Sequence, residues 1–206
     1  VDSNKLVQTK PKHWKPVGWT VYVLDRSLQA GKGIFHKWKQ RANVGIWPQK
    51  GKGLELYVDA DFSGNWDPKE SWDRDTARSR HGYIVKYEGC PLLWKSQMQT
   101  EIVLSSTESE YTGMSYGLRE VIPIMELMNE MKKNAFPIST TPPKVWCRVF
   151  EDNSRALEMA TTHKYRPRTK HLNVKLHHFR DYVTRGEIPI HTVDSAIQQA
   201  DYLTKP

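Results

Sequence analysis

The sequence of 206 residues contains only two cysteines, Cys90 and Cys147. Two cysteines cannot form a disulfide framework, and their spacing is not that of a metal site, so both are expected to be buried apolar residues in strands. No apolar run approaches the roughly 18 residues that a membrane span requires. Residues 1–15 also lack the apolar core of a signal peptide. The sequence therefore favours an intracellular protein with no membrane partner.

Internal repeats and low-complexity tracts are also lacking, and the length suits one domain with a sizeable core. Basic residues outnumber acidic ones by 31 to 23, which gives a formal charge of +8 and favours a polyanionic partner such as nucleic acid. Residues 1–50 are rich in Lys, Trp and Gly and have no sustained period, which is typical of a connector. The chain begins without Met and stops at "LTKP", so it is expected to be a piece of something longer. We predict one folded domain over residues 51–206.

Hydrophobic periodicity predicts an α/β order of elements. Three β-rich runs, "LELYVDA", "GYIVKYEG" and "CPLLWKSQ", predict an antiparallel meander. A helix over residues 105–133 follows, with an apolar stripe at steps of three and four. The remaining chain predicts a strand, two helices, a strand and a last helix, in the segments "KVWCRVFED", "NSRALEMATT", "RTKHLNVKLHHFRDYV", "EIPIHTV" and "AIQQADYLTK". This order implies a mixed sheet flanked by helices.

The stretch "YVDADFSGNWDPKE" fits the expression for an EF-hand calcium loop. The positions match at five residues: Asp59, Asp61, Ser63, Gly64 and Glu70. An EF-hand requires a helix on either side, whereas "GLELYV" alternates like a strand and "SWDRDTARSRHG" has no helical stripe. We therefore favour a strand that delivers Asp59 to a catalytic metal site.

Four acidic residues lie at the ends of predicted elements, and each has a structural alternative. Asp59 at a strand end is also explained by turn chemistry. Glu110 fits a capping box with Thr107. Asp152 fits an N-cap or a first-turn acid, and Asp201 fits any exposed helical acid. Taken singly, none of the four indicates a function.

Their joint arrangement is more informative, because such element ends can converge in space. Clustered ionised carboxylates repel one another, so the cluster is stable only with bound cations. Oxygen ligands select hard ions such as Mg²⁺ or Mn²⁺. Two such ions about 4 Å apart activate a water and stabilise the departing oxygen of a phosphodiester. The expected chemistry is phosphodiester hydrolysis.

Five blocks resemble, in order and spacing, the ribonuclease H domain of copia-type long-terminal-repeat retrotransposon polyproteins. They are "LYVDADFSGNWD", "HGYIVKYEGCPLLWKSQMQTEIVLSSTESEYTGMSYGLREVI", "FEDNSRALEMA", "RTKHLNVKLHHFRDYV" and "HTVDSAIQQADYLTKP". The resemblance implies a ribonuclease H-like fold with a five-stranded sheet, and a two-ion magnesium site in which Mn²⁺ can substitute. The implied catalytic and metal-binding set is Asp59, Glu110, Asp152 and Asp201.

Neighbouring residues have subsidiary predicted roles. Glu110 is chosen over Glu108, which is the helix-end acid, since related enzymes place their glutamate directly before the first apolar residue of the helix. Asp61 shares a strand face with Asp59, where it either approaches the metals or holds the turn. By the same alternation Glu151 points away from Asp152, which makes it a poor site candidate. His191 resembles a histidine that assists proton transfer or product release, and a solvated strand-end role is equally open.

The resemblance implies cleavage of the RNA strand of an RNA:DNA hybrid during reverse transcription, with a polymerase domain upstream and residues 1–50 as the connection. Such an enzyme acts in the cytoplasm within virus-like particles, or in the nucleus. An inactive module that only holds the hybrid is the alternative. Two basic clusters are expected to contact phosphates and two polar residues to contact 2′-hydroxyls. These predicted nucleic-acid contacts are Arg78, Arg80, Lys164, Arg166, Arg168, Lys170, Ser106 and Asn153.

Overall fold

The computed structural model describes residues 51–136, 138, 145–162 and 177–205. The connector predicted over residues 1–50 lies outside them, so the domain boundary at residue 51 stays a prediction. In the described part of the chain, no helix is long and apolar enough to cross a membrane.

The predicted meander is present. The strands are β1 (Leu54–Asp61), β2 (Arg80–Tyr87) and β3 (Cys90–Met98), and the β1–β2 and β2–β3 pairs are antiparallel. Positive φ angles at Glu88 and Gly89 make the tight turn between β2 and β3. Strands β4 (Cys147–Glu151) and β5 (Ile190–Thr192) complete a sheet of order β3-β2-β1-β4-β5, in which β4 is parallel to β1 and β5 to β4. The predicted mixed five-stranded sheet is confirmed.

The long helix α1 (Ser106–Lys133) packs on one face of this sheet and continues through Pro123. Its predicted apolar stripe is confirmed, since all six of its residues are buried: Tyr111, Met114, Leu118, Val121, Met125 and Met128. Opposite them lie the buried β1 side chains Leu54, Leu56 and Val58. Burying side chains of this size stabilises the fold by about 1.5–3 kcal/mol each, so this layer fixes the position of α1 on the sheet.

Between β4 and β5 the described residues form two shorter helices. Helix α2 (Ser154–Thr161) begins directly after β4 at the N-cap Asn153. The described part of the next predicted helix is a 3₁₀ turn (His177–Phe179) followed by helix α3 (Arg180–Thr184). The buried Phe179 ring packs near Tyr111 of α1, with 5.7 Å between ring centroids. This contact joins α3 to the core.

The helix predicted over "AIQQADYLTK" is wrong. The segment forms two separate 3₁₀ turns, Ser195–Ile197 and Asp201–Leu203. Between them the buried Gln198 side chain donates from Nε2 to the Val58 carbonyl at 2.8 Å, and its Oε1 accepts from the Ala200 N–H. An isolated helix of ten residues is marginal in water, so these bonds to the sheet and to its own backbone decide the conformation.

Candidate active site

The candidate site lies where β1 extends beyond β4. The parallel pairing of these strands ends at Tyr57 and Phe150, so the last residues of β1 have no β4 partner. Gln198 satisfies one of the exposed backbone groups by bonding the Val58 carbonyl. Because β1 and β4 are parallel, their carboxyl ends meet at this edge and bring Asp59 close to Asp152.

Three of the four predicted carboxylates come together at this edge. Oxygen atoms of Asp59, Glu110 and Asp152 lie within 4.8 Å of one another. In the described part of the chain, this is the one such group of acidic, histidine or cysteine side chains with metal-binding spacing, and neither Asp201 nor His191 belongs to it. The strand ends supply two members of the group, and the first turn of α1 supplies the third.

Glu108 and Glu110, the two glutamates in the first turns of α1, have different roles. Ser105 is the N-cap and its Oγ accepts from the Glu108 N–H, while Glu108 Oε2 accepts from the Leu104 N–H. This exchange is a capping box displaced by one residue. The alternative in which Glu110 forms a capping box with Thr107 is therefore wrong, and Glu108 is the helix-end acid as predicted. Glu110 is left to face the strand ends.

Burial and mutual repulsion dominate the electrostatics of the group. Burial raises the pKa of Asp59 to about 6, and the nearby charges of Asp152 and Asp201 add to this effect. The pKa of Glu110 is raised well above its usual range by burial first, and then by Glu151, Asp59 and Asp152. A hydrogen bond from the Ala60 N–H offsets a part of the increase. The charged form of this cluster is costly without a cation.

The C-terminal turn places Asp201 beside the group. Thr204, which is 2% exposed, donates a hydrogen bond from Oγ1 to Asp59 Oδ2. Asp201 Oδ2 lies 2.6 Å from Lys205 Nζ, so its carboxylate is paired with an ammonium. Asp201 nevertheless contributes to the raised pKa of Asp59, which puts it within electrostatic reach of the three grouped carboxylates.

Three residues around the carboxylate group were not predicted from the sequence. Ser195 Oγ donates to Asp152 Oδ2 at 2.7 Å, Thr204 bonds Asp59, and Gln198 ties the C-terminal segment to β1. Ser195 and Thr204 flank Asp201 in the quoted block "HTVDSAIQQADYLTKP". Hydroxyl residues beside a predicted metal-binding acid are the signal that could have indicated them.

Asp61 holds a turn instead of joining the group. The Gly64 N–H donates to its carboxylate, and a Cβ on residue 64 would lie 1.8 Å from Asp61 Oδ2. A side chain at residue 64 would therefore displace the Asp61 carboxylate from this hydrogen bond. After β1 the chain forms a 3₁₀ turn at Pro68–Glu70 and not a helix, so the structure also lacks the flanking helices of an EF-hand within the described residues.

His191 and the two predicted hydroxyl-binding residues lie around the group. His191 is exposed on β5, and its ring centroid lies 5.8 Å from that of Phe150. Asn153 caps α2 by accepting from the Arg155 and Ala156 N–H groups through Oδ1. Ser106 is exposed in the first turn of α1. Their predicted roles remain predictions.

The predicted basic clusters are described only in part. Arg78 pairs with Asp75 at 3.0 Å, and Arg80 donates from Nη1 to Ser96 Oγ at 3.3 Å. His81 is buried, and burial lowers its pKa to about 4, so it adds no charge to this cluster. The second cluster lies outside the described residues: Lys164, Arg166, Arg168 and Lys170.

The three grouped carboxylates fit a divalent cation. Opposite ligands of Mg²⁺ are separated by about 4.2 Å, twice the typical metal–oxygen distance, and the oxygens of the group lie within 4.8 Å of one another. Glu110 Oε2 is buried without a hydrogen-bond partner among the described residues. Oxygen donors, repulsion and an unsatisfied buried oxygen together suit a hard cation.

Comparisons with known proteins agree with the resemblance seen in the sequence. No protein-family model matches the chain. The chain is 33% identical over 184 residues, 88% of its length, to the retrovirus-related Pol polyprotein from transposon RE1 of Arabidopsis thaliana. It is also 33% identical over 164 residues, 79% of its length, to that from transposon RE2 of the same plant. It spans only 12% and 10% of these two relatives.

The solved structures that the chain matches include two ribonuclease H proteins. One is the N-terminal RNase H domain of Rv2228c from Mycobacterium tuberculosis, with a TM-score of 0.48, 15% identity, and coverage of 74% of this chain and 90% of that one. Another is LC11-RNase H1 in complex with an RNA/DNA hybrid, with a TM-score of 0.47, 14% identity, and coverage of 73% and 92%.

Proposed function

Because the chain is homologous to one segment of the retrovirus-related Pol polyproteins of transposons and has the fold of a ribonuclease H domain, we propose that it is a metal-dependent endonuclease. Its substrate is the RNA strand of an RNA:DNA hybrid, and its reaction is phosphodiester hydrolysis. The observation that carries this proposal is the convergence of Asp59, Glu110 and Asp152 within 4.8 Å at the carboxyl ends of β1 and β4.

The proposed cofactor is Mg²⁺, with Mn²⁺ as a substitute. Asp59, Glu110 and Asp152 would hold it, and Asp201, whose carboxylate is paired with Lys205 in this structure, would be the fourth ligand. When bound, a pair of ions supplies a nucleophilic water and stabilises the leaving oxygen. The protein's own contribution is to hold these carboxylates in place. Thr204 and Ser195 support this by donating hydrogen bonds to Asp59 and Asp152.

The proposed partners follow from the polyanionic substrate and the polyprotein relatives. The formal charge of +8 favours binding to the phosphates of a hybrid. Specificity for the RNA strand requires contacts to 2′-hydroxyls, for which Ser106 and Asn153 at the starts of α1 and α2 are the candidates. We assign the domain a role in reverse transcription within virus-like particles, alongside an upstream polymerase domain of the same polyprotein.

The test is a cleavage assay on the full chain with a labelled RNA:DNA hybrid and Mg²⁺. We expect fragments of the RNA strand alone, and no fragments in EDTA. Asp59→Asn and Asp152→Asn should each reduce cleavage by at least about 100-fold, since each removes a charged ligand from the site. Asp181→Asn, at a side chain that is 83% exposed on α3, is the matched control and should cleave like the wild type.

Binding of the hybrid separates the proposal from its alternative. Fluorescence anisotropy in EDTA should show that both site variants still bind hybrid, because the basic residues are unchanged. Wild-type protein that binds hybrid but leaves the RNA intact at every Mg²⁺ and Mn²⁺ concentration would instead identify an inactive hybrid-holding module. Cleavage of the DNA strand would contradict the substrate assignment.

A further inference from the structure

An ammonium group lies at the candidate active site. Lys205 Nζ is 2.6 Å from Asp201 Oδ2, and the Lys205 side chain is 68% exposed. In the part of the chain that the structure describes, Lys205 is the one basic side chain that forms an ion pair with a proposed metal ligand. The pair therefore places a positive charge at the fourth proposed ligand.

The turn that carries this pair is packed against the sheet next to Asp59. Gly82 is the β2 residue that pairs with Asp59 of β1. A Cβ on Gly82 would lie 2.5 Å from Leu203 Cβ and 3.3 Å from the Ala200 carbonyl oxygen. The residues on either side of Asp201 therefore contact the strand position beside Asp59.

Thr204 brings the same turn into contact with the carboxylate group. Its Oγ1 donates to Asp59 Oδ2 and lies 3.1 Å from the backbone carbonyl oxygen of Asp201. Thr204 is buried, whereas the side chain of the next residue, Lys205, is mostly exposed. The backbone of Lys205 is thus anchored beside the group, while its flexible four-carbon side chain can change rotamer without moving the turn.

The pair between Lys205 and Asp201 is weak enough to be exchanged. An ion pair between exposed side chains contributes little, because water and salt screen the charges. A divalent cation carries twice the charge of an ammonium, so at the same distance its attraction to a carboxylate is twice as large. A cation bound by the three grouped carboxylates also repels the ammonium. Both effects favour replacement of the ammonium by a divalent cation at Asp201.

We propose that Lys205 is the counter-ion of Asp201 in the metal-free site and competes with the divalent cation for this carboxylate. This inference rests on the proposed metal-dependent function. Asp201 becomes available as a ligand only after the ammonium leaves, so Lys205 lowers the affinity of the site for metal. It thereby sets the concentration of divalent cation at which the site fills. A Lys205 with no role beyond the surface would leave the affinity for metal unchanged.

The test measures Mn²⁺ binding to the full chain without substrate, by electron paramagnetic resonance of free Mn²⁺ and by the Mn²⁺-induced rise in melting temperature. Lys205→Gln removes the charge and keeps most of the length of the side chain. We expect the Mn²⁺ affinity to rise by about threefold or more, because the competing charge is lost, and the thermal shift to grow. Lys205→Arg keeps the charge and should bind Mn²⁺ like the wild type.

A double-mutant cycle with Asp201→Asn shows whether Lys205 acts through Asp201. In this background the ammonium has no carboxylate at residue 201 to occupy. Lys205→Gln should therefore change the Mn²⁺ affinity less than it does in the wild type. A gain of equal size with and without the Asp201 carboxylate would overturn the proposed competition.

Lys133→Gln is the matched control. Lys133 is also an exposed lysine paired with an acidic side chain, since its Nζ lies 3.1 Å from Glu130 Oε2. It ends α1, roughly 35 Å along the helix from Glu110. This variant makes the same change in net charge and should have the Mn²⁺ affinity of the wild type. Wild-type or lower affinity in Lys205→Gln would overturn the inference while leaving the nuclease proposal intact. A wild-type protein that binds no Mn²⁺ would overturn both.

Discussion

The hydroxyl of Thr204 donates a hydrogen bond to Asp59 Oδ2, and this bond joins residues that are 145 positions apart in the chain. It favours the charged form of Asp59 against burial and against the nearby carboxylates, all of which raise its pKa. Thr204 is therefore placed to keep a proposed metal ligand ionised.

Replacing Thr204 with Val should raise the pKa of Asp59 further, since the shape of the side chain is kept and the donor is lost. We expect the acidic limb of the pH–rate profile for hybrid cleavage to move to higher pH. The free energy of unfolding should fall by about 1–3 kcal/mol, because a buried carboxylate loses a partner. Thr204→Ser, which keeps the hydroxyl, should retain the wild-type profile. An unchanged profile in Thr204→Val would contradict this role.

The stability of the metal-free protein should depend on the ionisation of Asp59. Its pKa is raised to about 6 in the folded state, above the value of about 4 in an unfolded chain. The folded state thus holds this proton more tightly, so the contribution to stability is present below about pH 4 and is lost as the pH rises through about 6. The loss is about 1.4 kcal/mol for each unit by which the pKa is raised.

His81 contributes the opposite trend over the same range, since burial lowers its pKa to about 4. The measurement is therefore a difference: urea unfolding of the wild type and of Asp59→Asn, in EDTA, from about pH 4 to about pH 8. The free energy of unfolding of Asp59→Asn should exceed that of the wild type by an amount that grows as the pH rises through about 6. Saturating Mg²⁺ should reverse this difference, because it stabilises the wild type alone. A difference that does not vary with pH would show that Asp59 does not titrate in this range.

Gly82 of β2 should be required for docking of the C-terminal turn. A Cβ at this position would lie 2.5 Å from Leu203 Cβ, which is closer than two nonbonded carbon atoms can approach. We expect Gly82→Ala to displace the Asp201–Leu203 turn, to lower the free energy of unfolding by about 1–3 kcal/mol and to reduce cleavage. Adding Leu203→Gly removes the opposing Cβ and should recover a part of the stability in a double-mutant cycle. Wild-type stability in Gly82→Ala would contradict the contact.

The basic segment after α2 should bind phosphates, although it lies outside the described residues. Replacing Arg166, Arg168 and Lys170 together with Ala should weaken hybrid binding and reduce the slope of log affinity against log salt, by about one for each lost phosphate contact. Anisotropy titrations at several salt concentrations give this slope. Arg185→Ala, on the exposed end of α3 where Arg185 pairs with Glu187, is the control. A slope equal to that of the wild type would exclude the segment as a phosphate contact.

The sequence predicted the parts of the fold that depend on periodic burial. The meander, α1 and its apolar stripe follow from alternation and from steps of three and four, because one face of each element is covered by the core. The junctions depend on individual hydrogen bonds instead. The cap of α1 uses Ser105 and Glu108, one residue away from a capping pattern with Thr107 that fits the sequence equally well.

The convergence of three carboxylates could be predicted from the sequence, whereas the contacts around them could not. Asp59, Glu110 and Asp152 lie at element ends whose meeting follows from parallel pairing of β1 and β4. The residues around them depend on tertiary contacts that no local pattern encodes. The terminal helix fails for this reason, since Gln198 bonds a carbonyl of β1 rather than facing solvent.

The bond between Thr204 and Asp59 also sets an order of events during synthesis. The strand that carries Asp59 is synthesised before Thr204, which follows it by 145 residues. The meander and α1 have their sequence available well before the turn that carries Asp201 exists. A nascent chain can therefore build its hydrophobic core first, and it completes the proposed nuclease site only when the turn that carries Asp201 docks.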